Sequence, residues 1–227
     1  MLVKLDGLGR LLEERRSSIV SDKLAEVAGR TASMTMLVEM VSGSGFPLAY
    51  QGNVNEELPF YKVGSLSQLD DKGFAEDRRN TISRDIAREL GATIIPAGSI
   101  LMAKIGAAML LGRFVAIKVP ACIDNNAMAL IPNTSLITPG YLRYATTLIS
   151  IENLANPGPV PSLNVTGLKM ERIPLPTLDE QDRIVAELDA ATAQIDAMMD
   201  KVGALKSLLT ERRSALITAA VTGQIEV

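Results

Sequence analysis

The chain has 227 residues, 47 % hydrophobic and 22 % charged, with no histidine, no tryptophan and a single cysteine. The missing histidine excludes Ser-His-Asp and Cys-His nucleophile systems and every histidine-bearing zinc or non-haem iron site, and the lone Cys122 excludes disulfides and four-cysteine metal sites. A formal charge of −3 argues against nucleic acid only until its distribution is read: Leu90 to Ile123 holds Lys104, Arg113 and Lys118 with no acid, whereas Leu178 to Lys201 holds seven acids against Arg183 and Lys201, so the rest of the chain is slightly basic.

The first predicted element is a short helix over residues 1–25, with Leu5, Leu8, Leu12 and Ile19 at heptad spacing. Its stretch Leu11 to Val20 matches Leu208 to Ile217 at an offset of 197 residues, with six identities in ten, and carries the heptad phase with it. The chain therefore begins with the same kind of helix with which it ends. Coincidence between two short amphipathic strings is the less favoured alternative.

Residues 26–176 change character, to short apolar runs punctuated by glycine and proline, and are expected to form one mixed α+β (α/β) domain of about 150 residues. Phe46, Tyr50, Phe60 and Tyr61, half of the chain's aromatics, cluster beside Gly43, Gly45, Gly52, Asn53 and Asn55. Such a loop either offers hydrogen-bonding groups to base edges or is simply pinned to the core by its aromatics. Thr81 to Leu90 reads as a helix capped by Thr81 or Ser83 and stopped at Gly91. Thr93 to Pro96, Ser99 to Ile105, Phe114 to Val119 and Ala127 to Ile131 read as strands, Gly140 to Ser150 as a helix opened by Pro139, and Asn156 to Pro161 as a loop. Cys122, in the apolar run Ala116 to Ile123, is expected to be a buried thiol.

The last element, residues 177–227, is the most legible. Ile173-Pro174-Leu175-Pro176 is an extended lead-in, Thr177 or Asp179 can cap, and acids fill the first turn. Positions 184, 188, 191, 195, 198, 202, 205, 209, 212 and 216 then advance by alternating fours and threes and are apolar except Arg212. That period makes a long helix with a narrow seam that wants a helical partner, and Ile184, Leu188, Ile195, Met198, Val202, Leu205, Leu209 and Leu216 are its candidate contacts.

Chemistry is sparse. Gly7-Leu8-Gly9 and Gly43-Ser44-Gly45 extend to no phosphate-binding motif, Asn156-Pro157-Gly158-Pro159 fails the Asn/Asp-Pro-Pro-aromatic pattern of amino-methyltransferases, and Asp70-Asp71 and Glu56-Glu57 read as solvated acids. No catalytic residue, metal or cofactor is expected. Bases for phosphate contacts do exist, and Lys72, Arg78, Arg79, Arg84, Lys104, Arg113 and Lys118 are the candidates. Few aromatics disfavour a single-strand stacking platform, which leaves duplex DNA as the better target. No apolar stretch reaches the length of a membrane span, and Met1 to Arg16 is too charged for a signal peptide, so a soluble, cytoplasmic, reduced protein is expected.

The wording of two segments is more specific. Ile173-Pro174-Leu175-Pro176-Thr177-Leu178-Asp179-Glu180-Gln181-Asp182-Arg183-Ile184, and Leu216-Ile217-Thr218-Ala219-Ala220-Val221-Thr222-Gly223-Gln224-Ile225-Glu226-Val227, resemble the conserved regions of the specificity subunits of type I restriction-modification systems. Gly45-Phe46-Pro47, Tyr50-Gln51-Gly52, Pro59 to Val63 and Lys104-Ile105-Gly106 are similar to that family more weakly. The resemblance implies a non-catalytic DNA-recognition subunit with a target-recognition domain and a helical spacer, which recruits methyltransferase subunits that use S-adenosylmethionine and restriction subunits that use ATP. Family members usually carry two such domains, and this chain carries the pattern once. A homodimer through antiparallel long helices would restore the pair and read a bipartite, inverted target. The competing expectations are a homodimeric coiled-coil scaffold or adaptor without DNA specificity, and a nuclease or methyltransferase with an unusual site.

Overall fold

The computed structural model describes residues 2–27, 29–70 and 73–222, and of Ala220 and Val221 the backbone only. It is a mixed α/β domain with a long C-terminal helix, and it divides into two units, residues 23–186 and residues 1–22 with 187–227.

The first unit is built around a four-stranded antiparallel sheet. Following helix α1 (Leu2–Ala25), the chain makes β1 (Thr31–Ser33), a single turn α2 (Met34–Leu37), β2 (Val38–Ser42) and β3 (Leu58–Tyr61). After β4 (Thr81–Ile82) and α3 (Arg84–Glu89) come β5 (Ile100–Ala103), α4 (Ala107–Leu110), β6 (Val115–Ala116), β7 (Cys122–Ile123) and β8 (Ala127–Pro132). The main sheet has the order β2-β8-β5-β6, with Leu101 flanked by Ala129 on one side and Val115 on the other. Every residue of β5 and the stretch Ala127 to Leu130 are buried, which is why these runs are apolar throughout rather than alternating. A second sheet, β4-β3-β7, pairs β3 antiparallel with β4 and parallel with β7.

The chain then forms α5 (Pro139–Ala145), a hairpin of β9 (Ala155–Asn156) with β10 (Ser162–Leu163), α6 (Val165–Met170) and β11 (Arg172–Pro174). β11 returns to pair antiparallel with β1, Thr31 opposite Pro174 and Ala32 opposite Ile173. From there α7 (Leu178–Val221) begins, a helix of 44 residues and therefore about 66 Å long.

Some local expectations shift. Only Arg84 to Glu89 of the Thr81–Leu90 segment is helical, because Ile82 is buried opposite Leu58 in the sheet and Ser83 caps, its hydroxyl accepting from the Ile86 N–H at 3.2 Å. Thr93 to Pro96 makes one bridge, Ile95 with Ala121, and Pro96 has no N–H to extend it. Gly140 to Ser150 ends its α-helix at Ala145 and continues as a 3-10 turn, Thr146–Leu148. Asn156 to Pro161 is the tip of a hairpin, with Asn156 paired to Ser162.

In the other unit, residues 2–22 run antiparallel to α7. Arg16 Nε meets Asp196 Oδ1 at 2.7 Å and Lys206 Nζ meets Asp6 Oδ1, so higher positions on one helix face lower positions on the other. Leu188 and Thr192 are buried and Ile195, Met199, Val202 and Leu209 half-buried, whereas Met198, Leu205 and Leu216 are exposed. No helix among the described residues is long and apolar enough to cross a membrane.

Candidate nucleic-acid interface

The loop that follows β2 is held by backbone packing before any side chain acts. A Cβ on Gly43 would lie 2.1 Å from the Asp124 carbonyl oxygen and 2.3 Å from that of Ile123, so only glycine lets the chain pass there. Ser44 N–H donates to the Ile123 carbonyl at 3.0 Å and fixes the loop to the end of β7. Phe46 then stacks on Phe60 with centroids 3.8 Å apart, against a core of Leu58, Phe60, Ile82, Ala87 and Cys122. Tyr50 donates its hydroxyl to Glu89 at 2.7 Å, and Lys62 donates to Gln51, whose amide donates to the Phe46 carbonyl. Of the two readings of this aromatic cluster, the structure gives the pinned loop. At its tip Leu48 is 85 % exposed.

The candidate cations fall in several places rather than one. Arg78 and Arg79 line a shallow groove with Val54, Gln68, Leu69, Glu76 and Asp77. Arg79 is held by the buried Asp77 carboxylate through its backbone N–H, Nε and Nη2, at 2.9 to 3.0 Å. The same Arg79 contacts, helped by the Ser65 hydroxyl, hold the Asp77 carboxyl down at about 2 against the opposing effect of burial. Lys118 pairs with Asp70 and sits 4.6 Å over the Phe74 ring, whose centroid also lies 5.1 Å from the Arg143 guanidinium. Phe74 thus gathers two cations at its ring.

Arg84 pairs with Glu57 at 2.9 Å, and Lys104, just past β5, donates to the Ser42 hydroxyl at the end of β2 at 3.0 Å, with β8 lying between the two strands. Arg78 and Arg113 are exposed, with no hydrogen bond or ion pair among the described residues. Lys72 lies outside the described residues. Sequence reasoning missed Lys62 and Arg143: single bases in apolar surroundings carry no charge pattern, and only the fold reveals Gln51 and Phe74 beside them.

Among the described residues no cluster of histidine, cysteine or carboxylates could hold a metal ion. Burial pushes the Cys122 thiol up to about 11, well above neutral pH.

Of the seam candidates, Ile184 and Leu188 are buried, Ile195, Val202 and Leu209 half-buried, and Met198, Leu205 and Leu216 exposed.

Residues 38–205 match the family model of the type I restriction modification DNA specificity domain. No curated protein sequence matches the chain. Among solved structures, one described as "Structural basis underlying complex assembly and conformational transition of the type I R-M system" aligns with a TM-score of 0.61 at 21 % identity, over 96 % of this chain and 57 % of its own. The HsdS subunit from Thermoanaerobacter tengcongensis aligns with a TM-score of 0.56 at 20 % identity, over 99 % of this chain and 56 % of its own. The type I restriction-modification system S subunit from M. genitalium gives 0.58 at 13 % identity, over 92 % and 55 %. At these identities the likeness is one of fold, and this chain spans little more than half the length of the chains it resembles.

Proposed function

The chain belongs to the type I restriction modification DNA specificity domain family, and from that premise we propose that it recognises a duplex DNA sequence as a specificity subunit, directing methyltransferase and restriction subunits to a bipartite site. The observation that carries the reading is the extent of the family match, which covers the sheet domain and runs on into the long helix as one unit of sequence. On this reading the chain is a non-catalytic, cytoplasmic partner of enzymes. Its lack of histidine and of a phosphate-binding motif accords with that.

Phosphate contacts are assigned to Lys72, Arg78, Arg79, Arg84, Lys104, Arg113 and Lys118, with Arg78 and Arg113 foremost because no carboxylate among the described residues pairs with them. The pairing of Arg79, Arg84 and Lys118 with acids favours the scaffold reading to that extent, since a neutralised base releases little counterion. A second copy, joined along the seam of Leu188, Ile195, Met198, Val202, Leu205, Leu209 and Leu216, with Ile184 of the expected seam already buried within one chain, would put two recognition units at opposite ends of a helical spacer.

The test is co-expression with a cognate methyltransferase subunit and mapping of modified bases across the host DNA. A symmetric two-part motif is expected. An asymmetric motif would overturn the homodimer, and absence of methylation from a verified complex would overturn DNA specificity in favour of the scaffold.

A further inference from the structure

We infer that α1 occupies, within one chain, the seam that the tail of a second copy's α7 takes in the dimer, so that dimerisation proceeds by displacing α1. The inference rests on the homodimer reading above and specifies its register.

Three observations carry it. The segment seated on α7 is the one whose sequence repeats the tail of α7: Leu12, Arg15 and Arg16 recur as Leu209, Arg212 and Arg213, 197 positions on. The two intrachain ion pairs share one antiparallel register, since the residue numbers of each add to 212. Finally, the repeated residues differ in cover at the end of the match: Ile19 is half-buried and Val20 1 % exposed, while their counterparts Leu216 and Ile217 are 50 % and 54 % exposed, although Leu8 and Leu11 are as exposed as Leu205 and Leu208. Leu216 and Ile217 of the tail thus lie open to solvent where Ile19 and Val20 are covered, and an apolar face repeated along a helix is a surface for a partner.

Replacing α1 by the matching tail of a second copy fixes the dimer. Facing residue numbers then add to 409, the two-fold axis falls between Ala204 and Leu205, and residues 188 to 221 lie opposite their symmetry mates over about 50 Å. Gly203 sits beside the axis, where a missing side chain permits close approach. Arg213 of each copy takes the place of Arg16 against Asp196 of the other, so that this ion pair forms twice. The pair between Asp6 and Lys206 has no such counterpart, because Asp6 aligns with Gly203, and it is specific to the closed chain. Both intrachain pairs are part-exposed, a setting in which ion pairs hold weakly, so the clasp is one that a longer helix can displace.

Sedimentation equilibrium of the full chain and of three single variants tests this. Arg16→Glu opens the clasp but leaves Arg213 for the dimer, and is expected to tighten the dimer constant at least threefold. Arg213→Glu leaves the clasp intact and is expected to weaken the dimer at least threefold. Asp196→Arg removes both pairings, and adding Arg213→Asp is expected to restore the dimer. If the parent chain dimerises and Arg16→Glu leaves its constant unchanged or weakens it, α1 is no competitor and the inference falls while the homodimer stands. If the parent and every variant stay monomeric at high micromolar concentration, the homodimer reading itself falls.

Discussion

Asp77 is a buried carboxylate held chiefly by a neighbour two residues away, with help from Ser65. Arg79 supplies three donors to it, and its folded-state value near 2 lies below the ordinary carboxylate value of 3.8. A depressed folded value contributes stability that is present above the ordinary value and lost as pH falls towards 2. The Asp77→Asn variant is therefore expected to melt below the parent at pH 7, with the gap closing between about pH 4 and pH 2 in thermal melts followed by circular dichroism. A gap that does not change with pH would refute the pairing. The basic pair Arg78-Arg79 was legible in the sequence, but which of the two is free was not. That distinction depends on Asp77 being folded inward beneath Ser65, which its local composition of acids and bases does not announce.

At the scale of elements, the start of α7 explains why its wording is so regular. Thr177 and Glu180 form a reciprocal cap, Thr177 N–H and hydroxyl donating to Glu180 Oε2 at 2.9 and 2.8 Å, and these bonds lower the Glu180 carboxyl from its ordinary value. Gln181, 0 % exposed, donates to the Leu136 and Pro176 carbonyls and accepts from the Thr138 N–H, so one side chain satisfies three backbone groups from two segments. Gln181→Leu preserves the apolar contacts but orphans all three, and is expected to cost about 3 kcal/mol in urea unfolding. A cost below about 0.5 kcal/mol would mean that water replaces them. Helices α1, α5 and α7, part of α3, and the apolar strands Ser99 to Ile105 and Ala127 to Ile131 were legible because period and composition are local, whereas the single-turn or two-turn helices α2, α4 and α6 were not. β1, β4 and β9 were not, since strands of two or three residues are set by partners far away in sequence, as Thr31 is by Pro174.

For the whole molecule, the question is whether a net-acidic chain binds duplex DNA through a few unneutralised bases. Arg78→Glu is expected to weaken duplex binding in fluorescence anisotropy and to reduce the slope of log affinity against log salt by about one. An unchanged slope would move the DNA-facing surface away from the Arg78 groove. The pairing of β1 with β11 has a different reach. It brings the first and last strands of the sheet domain side by side, so that everything from Thr31 to Pro174 begins and ends at one doorway. A body whose ends meet can be lifted out of a chain and another set in its place without lengthening or shortening what remains. On the function proposed above, the fold would separate inheritance of the address from inheritance of the measuring rod, and a single exchange of genetic text between Thr31 and Pro174 would rewrite one while preserving the other.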